Sequence, residues 1–251
     1  MASDLEGRLA LVTGALGKLG PIWIGALAEA GARVVGIDLH AGTVEGAESM
    51  HVADVTDRQA LLRLREDVGA PHVLVNNAGI DQPPTASGTS HAIEDVPYED
   101  FARVIDVNLA GTFLVTQVFG SAMRDAGRGS IVNLGSLYAS IAPDPAMYDH
   151  LALEPPFLKP PAYGASKSGV INLTRYFARL WGPHGVRVNA LSPGGVFADQ
   201  DPEFLRKFTS RTPLRRLALR DDLTGPLVFL ASDASRYVTG HELRVDGGFT
   251  A

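Results

Sequence analysis

Leu9-Ala10-Leu11-Val12-Thr13-Gly14-Ala15-Leu16-Gly17-Lys18-Leu19-Gly20 sets the architecture of this chain. An aliphatic run ending in Thr13 meets glycines at 14, 17 and 20, and apolar residues then recur at helical spacing from Gly20 to Ala30. Strand, tight turn and helix in that order open a βαβ unit. Glycines in such a turn let the backbone approach a pyrophosphate, whose charge then sits at the helix N-terminus, although they also build ordinary tight turns. The next strand supplies context. Asp38 closes it eighteen residues past Gly20, where a carboxylate accepts hydrogen bonds from the adenosine ribose hydroxyls and repels a 2′-phosphate. NAD is therefore expected rather than NADP, with Lys18 in the turn pulling weakly the other way.

On either side of Asp38 the same alternation continues. Strands are expected over Leu9–Thr13, Arg33–Ile37, Met50–Ala53, Val73–Asn76, Ser130–Leu134, Val186–Leu191 and Leu243–Val245, and helices over Gly20–Ala30, Asp57–Val68, Tyr98–Arg124, Ala162–Trp181 and Asp222–Ala231. Seven short strands alternating with helices predict an α/β fold: a single-domain, doubly wound Rossmann fold over residues 1–251, with a seven-stranded parallel sheet flanked by helices. Two segments break the alternation. Gln82–Pro97 is rich in Pro, Ser, Thr and Gly, and Pro143–Pro161 holds six prolines, a density that excludes regular helix or internal strand. A third segment, Phe197–Leu214, is polar and suits a short helix over a site.

Composition narrows the partners. The chain has 251 residues, 45% hydrophobic and 20% charged, with a net charge of −6, so nothing favours a nucleic-acid polyanion or an anionic membrane surface, and a small-molecule substrate is expected. No cysteine is present, which excludes a disulfide framework, a cysteine nucleophile and a thiolate metal site. The seven histidines show no paired metal spacing, so no metal is expected. The acidic opening residues do not suit an export leader, and no run reaches about 18 uninterrupted apolar residues, so no membrane span and a cytoplasmic location are expected.

Tyr163 is the only tyrosine followed by Lys four residues later. On a helix these positions share a face, so the Lys167 ammonium can favour the Tyr163 phenolate and make it a usable general acid/base. Joined to Asn76-Asn77-Ala78-Gly79 after the fourth strand, Asp54-Val55 after the third, Val107-Asn108-Leu109, Ser136 after the fifth, Pro193-Gly194 after the sixth and Val245-Asp246-Gly247-Gly248, the glycine turn gives a pattern that resembles the short-chain dehydrogenase/reductase family over nearly the whole chain. The resemblance implies that Tyr163 exchanges the proton of a substrate oxygen, that Ser136 hydrogen-bonds that oxygen, that Lys167 also holds the nicotinamide ribose, and that Asn108 positions a relay water. Asn108 can equally be a helix-interior amide tying two strands together. The implied cofactor contacts are Gly14, Leu16, Gly17, Lys18, Leu19, Gly20, Asp38, Leu39, Asp54, Val55, Asn76, Ala78, Gly79, Tyr163, Lys167, Pro193, Gly194 and Val196. A homotetramer or homodimer is implied as well, with the helices Tyr98–Arg124 and Ala162–Trp181 at one interface and the C-terminal strand region at another.

The sequence departs from the family pattern in three places. Lys18 stands where the common glycine pattern has Gly, and TGxxGxxG resembles the extended branch of the superfamily instead. Beyond Pro193-Gly194 no Thr is available to the nicotinamide carboxamide. Ser136 and Tyr163 lie 27 residues apart, so 143–161 is an insertion between two catalytic residues and must emerge beside the active site. It is expected to wall a pocket for a sugar, sugar acid or related polar substrate, with Ser136, Tyr148, His150, Tyr163 and Gly195 as contacts, while 197–214 serves as a lid; a subunit-interface loop is the other use of such an insertion. The expected reaction is hydride transfer between NAD(H) and a secondary alcohol or ketone, or a sugar hemiacetal and its lactone. A sugar-nucleotide epimerase or dehydratase and a non-catalytic NAD sensor are the alternatives. The first lacks its large C-terminal substrate domain here, and the second has no need of Ser136, Tyr163 and Lys167 together.

Overall fold

The computed structural model describes residues 5–81, 92–198 and 200–251. Its seven strands are β1 (Leu9–Thr13), β2 (Arg33–Asp38), β3 (Ser49–Val52), β4 (Val73–Asn76), β5 (Gly129–Leu134), β6 (Val186–Pro193) and β7 (Glu242–Val245), all parallel, in the order β3-β2-β1-β4-β5-β6-β7. The order reverses between β1 and β4, the place where an open parallel sheet leaves a crevice at its carboxyl edge. Helices α1 (Gly20–Glu29) and α2 (Arg58–Val68) follow β1 and β3. A continuous helix between β4 and β5 runs as α3 (Tyr98–Ile105), α4 (Thr112–Val115) and α5 (Ser121–Asp125), joined by π-helical stretches at Asp106–Gly111 and Thr116–Gly120. Then come α6 (Pro161–Trp181), α7 (Pro202–Arg211) and α8 (Arg220–Ala231).

Alternation along the strands makes two cores. Val12, Val75 and Val132 face Trp23, Leu27, Leu223 and Leu227 of α1 and α8, while Leu11, Leu74 and Ile131 face Leu61, Phe119, Phe177 and Trp181 on the other side. By length and composition the helix Tyr98–Asp125 is apolar enough to cross a membrane, yet half of its most apolar window is buried inside the domain, where Val115, Phe119 and Met123 pack against the sheet. It is a core helix.

Element ends move by one or two residues from expectation. β2 extends to Asp38, which pairs with Val52, so the carboxylate is held by the ladder itself. α8 starts two residues early because the Asp222 carboxylate accepts the Leu219 N–H at 2.7 Å and closes the first turn. In the Pro-rich segment a 3-10 turn forms at Pro145–Met147, capped by Asp144, and α6 opens on Pro161, where a missing N–H costs nothing. Within 82–97, residues 82–91 lie outside the described residues and Ile93–Asp95 makes a 3-10 turn before α3. Residue 199 of the expected lid also lies outside them, and α7 fills most of the rest.

Candidate active site

The glycine turn is braced from β4. Thr13 Oγ1 accepts the N–H groups of Asn77 and Ala78 at 3.1 and 3.0 Å, and the Asn77 amide donates to the carbonyls of Thr13 and Gly14 at 3.0 and 2.9 Å. Trp23 Nε1 donates to Asn77 Oδ1 at 2.8 Å, so α1 is tied to the same side chain. Gly14 has φ +65°, and a Cβ there would sit 2.7 Å from Ala78 Cα; at Gly20 it would sit 2.3 Å from Ala15 O. Only glycine lets the turn lie this close to β4 and α1 start this close to the turn. No side chain caps the α1 N-terminus, which leaves its first N–H groups for an anion, and Gly17 and Lys18 are exposed beside it. Asp38 accepts Leu16 N–H at 2.9 Å and His40 N–H at 3.2 Å, one on each oxygen, and each oxygen keeps a lone pair for a further donor. Leu39 is exposed next to it. This cradle fits a dinucleotide: a close backbone approach, an open helix N-terminus and a carboxylate at the end of β2.

The other expected cofactor contacts are spread along the same carboxyl edge. Leu16 and Leu19 are half-buried in the turn; Asp54 is exposed and holds the N–H and hydroxyl of Thr56, while Val55 is buried. Ala78 and Gly79 follow β4 at the surface of the turn. Asn76 does not share their side: its amide points into the core, donating to Thr116 Oγ1 at 2.8 Å and Asn133 Oδ1 at 2.7 Å, with Asn133 passing on to Thr174. Pro193 ends β6, Gly194 and Gly195 follow, and Val196 bridges to Ala218. Gly195 lies under Phe208 and Leu217, so its backbone is roofed by α7 and the loop after it.

Ser136, Tyr163 and Lys167 come together at the ends of β5 and α6. Ser136, buried, caps the turn Leu137–Ala139 by accepting Tyr138 N–H at 3.2 Å, and its side chain lies near enough to the Tyr163 hydroxyl to act on its ionisation. Lys167 Nζ lies 5.7 Å from the Tyr163 ring centroid and donates to Leu134 O at 2.8 Å. Asn108 stands in the first π-helical stretch, a local widening often found at functional sites. Both ends of its amide are engaged: Oδ1 accepts Ile80 N–H at 2.7 Å, and Nδ2 donates to Ile80 O at 3.0 Å and Ser166 Oγ at 3.2 Å. Ser166 Oγ donates in turn to Tyr163 O at 2.7 Å. The amide therefore clamps the segment after β4 to α6.

Electrostatics correct one expectation. Burial pushes the Tyr163 phenol up, Asp81 adds to this, and Ser136 opposes it. Lys167 itself is pushed down to about 8 by burial, with Asp81 opposing. Helical spacing gives proximity, and desolvation at this depth outweighs it.

A cavity of ≈ 460 Å³ opens against this site, with Tyr138, Ser140, Asp144, Tyr148, Lys159 and Ser168 among its lining. Tyr148 is buried between Phe157 and Phe204, with ring centroids at 5.0 and 5.7 Å, and its hydroxyl meets that of Tyr138. His150 points away from the cavity lining and toward α7: Nε2 is 2.9 Å from Asp201 Oδ1 and Nδ1 is 3.2 Å from Lys207 Nζ. Lys207 also donates to Ala146 O and pairs with Asp149, and Arg211 pairs with Asp144 at 2.5 Å. Residues 143–161 and α7 are thus joined by an aromatic cluster and several polar links. Tyr138 and Asp81 carry no local sequence signal as site residues. Asn77 sits inside the Asn76–Gly79 stretch that pointed to it, whereas Asp81 meets its partner Lys159 across 78 residues of sequence, with no local signal.

Residues 24–250 match a family model described as enoyl-(acyl carrier protein) reductase. The chain is 34% identical to a D-threitol dehydrogenase of Mycolicibacterium smegmatis, over 98% of this chain and 94% of that one. It is 36% identical to an L-tagatose-forming galactitol 2-dehydrogenase of Cereibacter sphaeroides, over 98% and 96%. Among solved structures, a short-chain dehydrogenase from Leptospira borgpetersenii with bound NAD+ superposes with a TM-score of 0.87 at 35% identity, covering 99% of this chain and 95% of that one.

Proposed function

This chain belongs to the short-chain dehydrogenase/reductase family, oxidoreductases acting on CH–OH groups, and on that footing we propose that it uses NAD, in the cytoplasm, to interconvert a secondary alcohol of a sugar, sugar alcohol or sugar acid with its ketone. The observation that carries this reading is the cavity next to the Tyr138–Tyr163 ring pair, where Tyr138, Tyr148, Ser140 and Lys159 set polar groups into a largely apolar lining of Ile141, Pro143 and Leu158. A polyhydroxylated substrate finds donors and acceptors on such a wall, whereas an apolar alcohol leaves them unpaired. Sugar-alcohol dehydrogenases among the relatives support the same substrate class.

When bound, the nicotinamide supplies the hydride acceptor. Gly14 to Gly20 and the α1 N-terminus would hold its pyrophosphate, and Asp38 its adenosine ribose. In oxidation, Tyr163 takes the hydroxyl proton while Ser136 donates a hydrogen bond to the same oxygen and orients it. Lys167, anchored on Leu134 O, is placed to hold ribose hydroxyls and to pass charge to the Tyr163 region. Asn108 keeps Ile80 and α6 in register, so it positions the segment after β4 that would border the cofactor.

The test is NAD+ reduction across free sugars, sugar acids, polyols, steroids and simple secondary alcohols. Turnover of a carbohydrate is expected; efficient turnover confined to steroids or simple alcohols would overturn the substrate class. In the same assay Asp38→Ala is expected to narrow the ratio of kcat/KM with NAD to that with NADP by about ten- to a hundredfold, because a carboxylate near a phosphate is strongly repelled at short range. An unchanged ratio would show that another group discriminates.

An apolar strip of Leu109, Phe113, Leu173 and Tyr176 on the outer face of the long helix and α6 supports a homotetramer or homodimer, since Phe113 is 36% and Tyr176 61% exposed. Sedimentation equilibrium is expected to give a multiple of the 26.6 kDa chain mass. A monomer at micromolar concentration would remove the strip as an interface.

A further inference from the structure

Lys159 reaches Tyr163 from the segment before α6. Its side chain is 6% exposed and its Nζ lies 2.7 Å from each Asp81 oxygen, 5.3 Å from the Tyr163 ring centroid and 5.8 Å from that of Tyr138. Lys167 Nζ is 5.7 Å from the same Tyr163 ring, so one phenol has two ammonium groups within 6 Å, one from α6 and one from the insertion. Asp81 is held where it is because Asn108 grips both backbone groups of the preceding Ile80. Among the described residues, the charged and titratable neighbours around Tyr163 are Lys167 on its own helix, Lys159 from the insertion, Asp81 from the segment after β4, and Tyr138 beside Ser136, with Tyr148 and the Asp144–Arg211 pair behind Tyr138.

A covered ammonium in this place is not explained by stability, since desolvating a charge costs about what its partner returns. Its effect on the chemistry is direct. After burial, the Asp81 charge opposes the phenolate most, and it favours the protonated form of both Tyr163 and Lys167. Lys159 cancels that field at its source and adds a cation over the ring. We propose that the Lys159–Asp81 pair is a charge-balancing positioning device for Tyr163, so that the insertion sets the pH range in which the enzyme works as well as walling its pocket. The proposal rests on Tyr163 being the proton-transfer group.

The experiment is the pH profile of kcat for alcohol oxidation in the wild type, Lys159→Met, Asp81→Asn and the double variant, with Tyr163→Phe alongside. Losing the cation while the carboxylate stays destabilises the phenolate, so the limb of Lys159→Met moves to higher pH, by roughly half to one unit for a partly screened charge at this distance. Losing the carboxylate while the cation stays moves the Asp81→Asn limb to lower pH by a similar amount. Removing both returns the limb close to wild type. Limbs that coincide in all four proteins, or single variants that shift the same way, would overturn the proposal even if every variant lost rate, because a merely structural role lowers rate without moving the limb in opposite senses. Asp81→Asn is isosteric and keeps the test open if Lys159→Met does not fold. An active Tyr163→Phe would instead defeat the underlying assignment of Tyr163.

Discussion

Tyr163→Phe is expected to lower kcat by about 10²–10⁴-fold, the range that a positioned general acid/base contributes, while NADH binding followed by fluorescence stays close to wild type. The ring keeps its contacts with Tyr138 and with the two ammonium groups, so only the hydroxyl and its interaction with Ser136 are lost. Burial holds the free phenol above its ordinary range. Oxidation is therefore expected to gain rate as pH rises, because the deprotonated form is the base, and reduction to fade over the same interval, because the protonated form is the acid. Retention of most of the rate by the Phe variant would move proton transfer to another group.

Gly14→Val is expected to abolish NADH binding and to lower the stability to urea by about 2–6 kcal/mol, the combined cost of a β-branched residue at positive φ and of a side chain forced into occupied space. The added Cβ would lie 2.7 Å from Ala78 Cα, a backbone atom on a segment fixed by Thr13 and Asn77, so neither side can yield cheaply. Binding that survives would show that the turn can open without loss of the cradle.

Much of this is local chemistry and so could be read from the sequence. Thr13 to Gly20 announces strand, turn and helix because each residue type there answers a backbone need of its own neighbourhood, and Tyr163 with Lys167 is visible because a helix converts a spacing of four into a shared face. What the helix does not convey is depth. The expected help from Lys167 is overridden by burial, a property of everything packed around the pair. Asn76 belongs to the right stretch but turns inward, since the residue that ends a strand can face either layer until its partners Thr116 and Asn133 are in place. The π-helical stretch around Asn108 is likewise silent in the sequence, because apolar periodicity hardly changes when a hydrogen bond slips by one residue. Long-range pairs such as Lys159 with Asp81 and His150 with Asp201 are set by topology alone.

The latch between the insertion and α7 bears on how such enzymes exchange specificity. Lys207 and Arg211 find their carboxylates on Asp149 and Asp144, His150 finds Asp201, and Tyr148 stacks on Phe204. Grafting a foreign segment over 143–161 alone would leave Arg211 without its Asp144 partner and Phe204 without Tyr148, while Lys207 would fall back on Glu203 of its own helix. The wall of the cavity is accordingly a two-part unit, discontinuous in the chain and contiguous in space, and an exchange that keeps its contacts replaces both halves together.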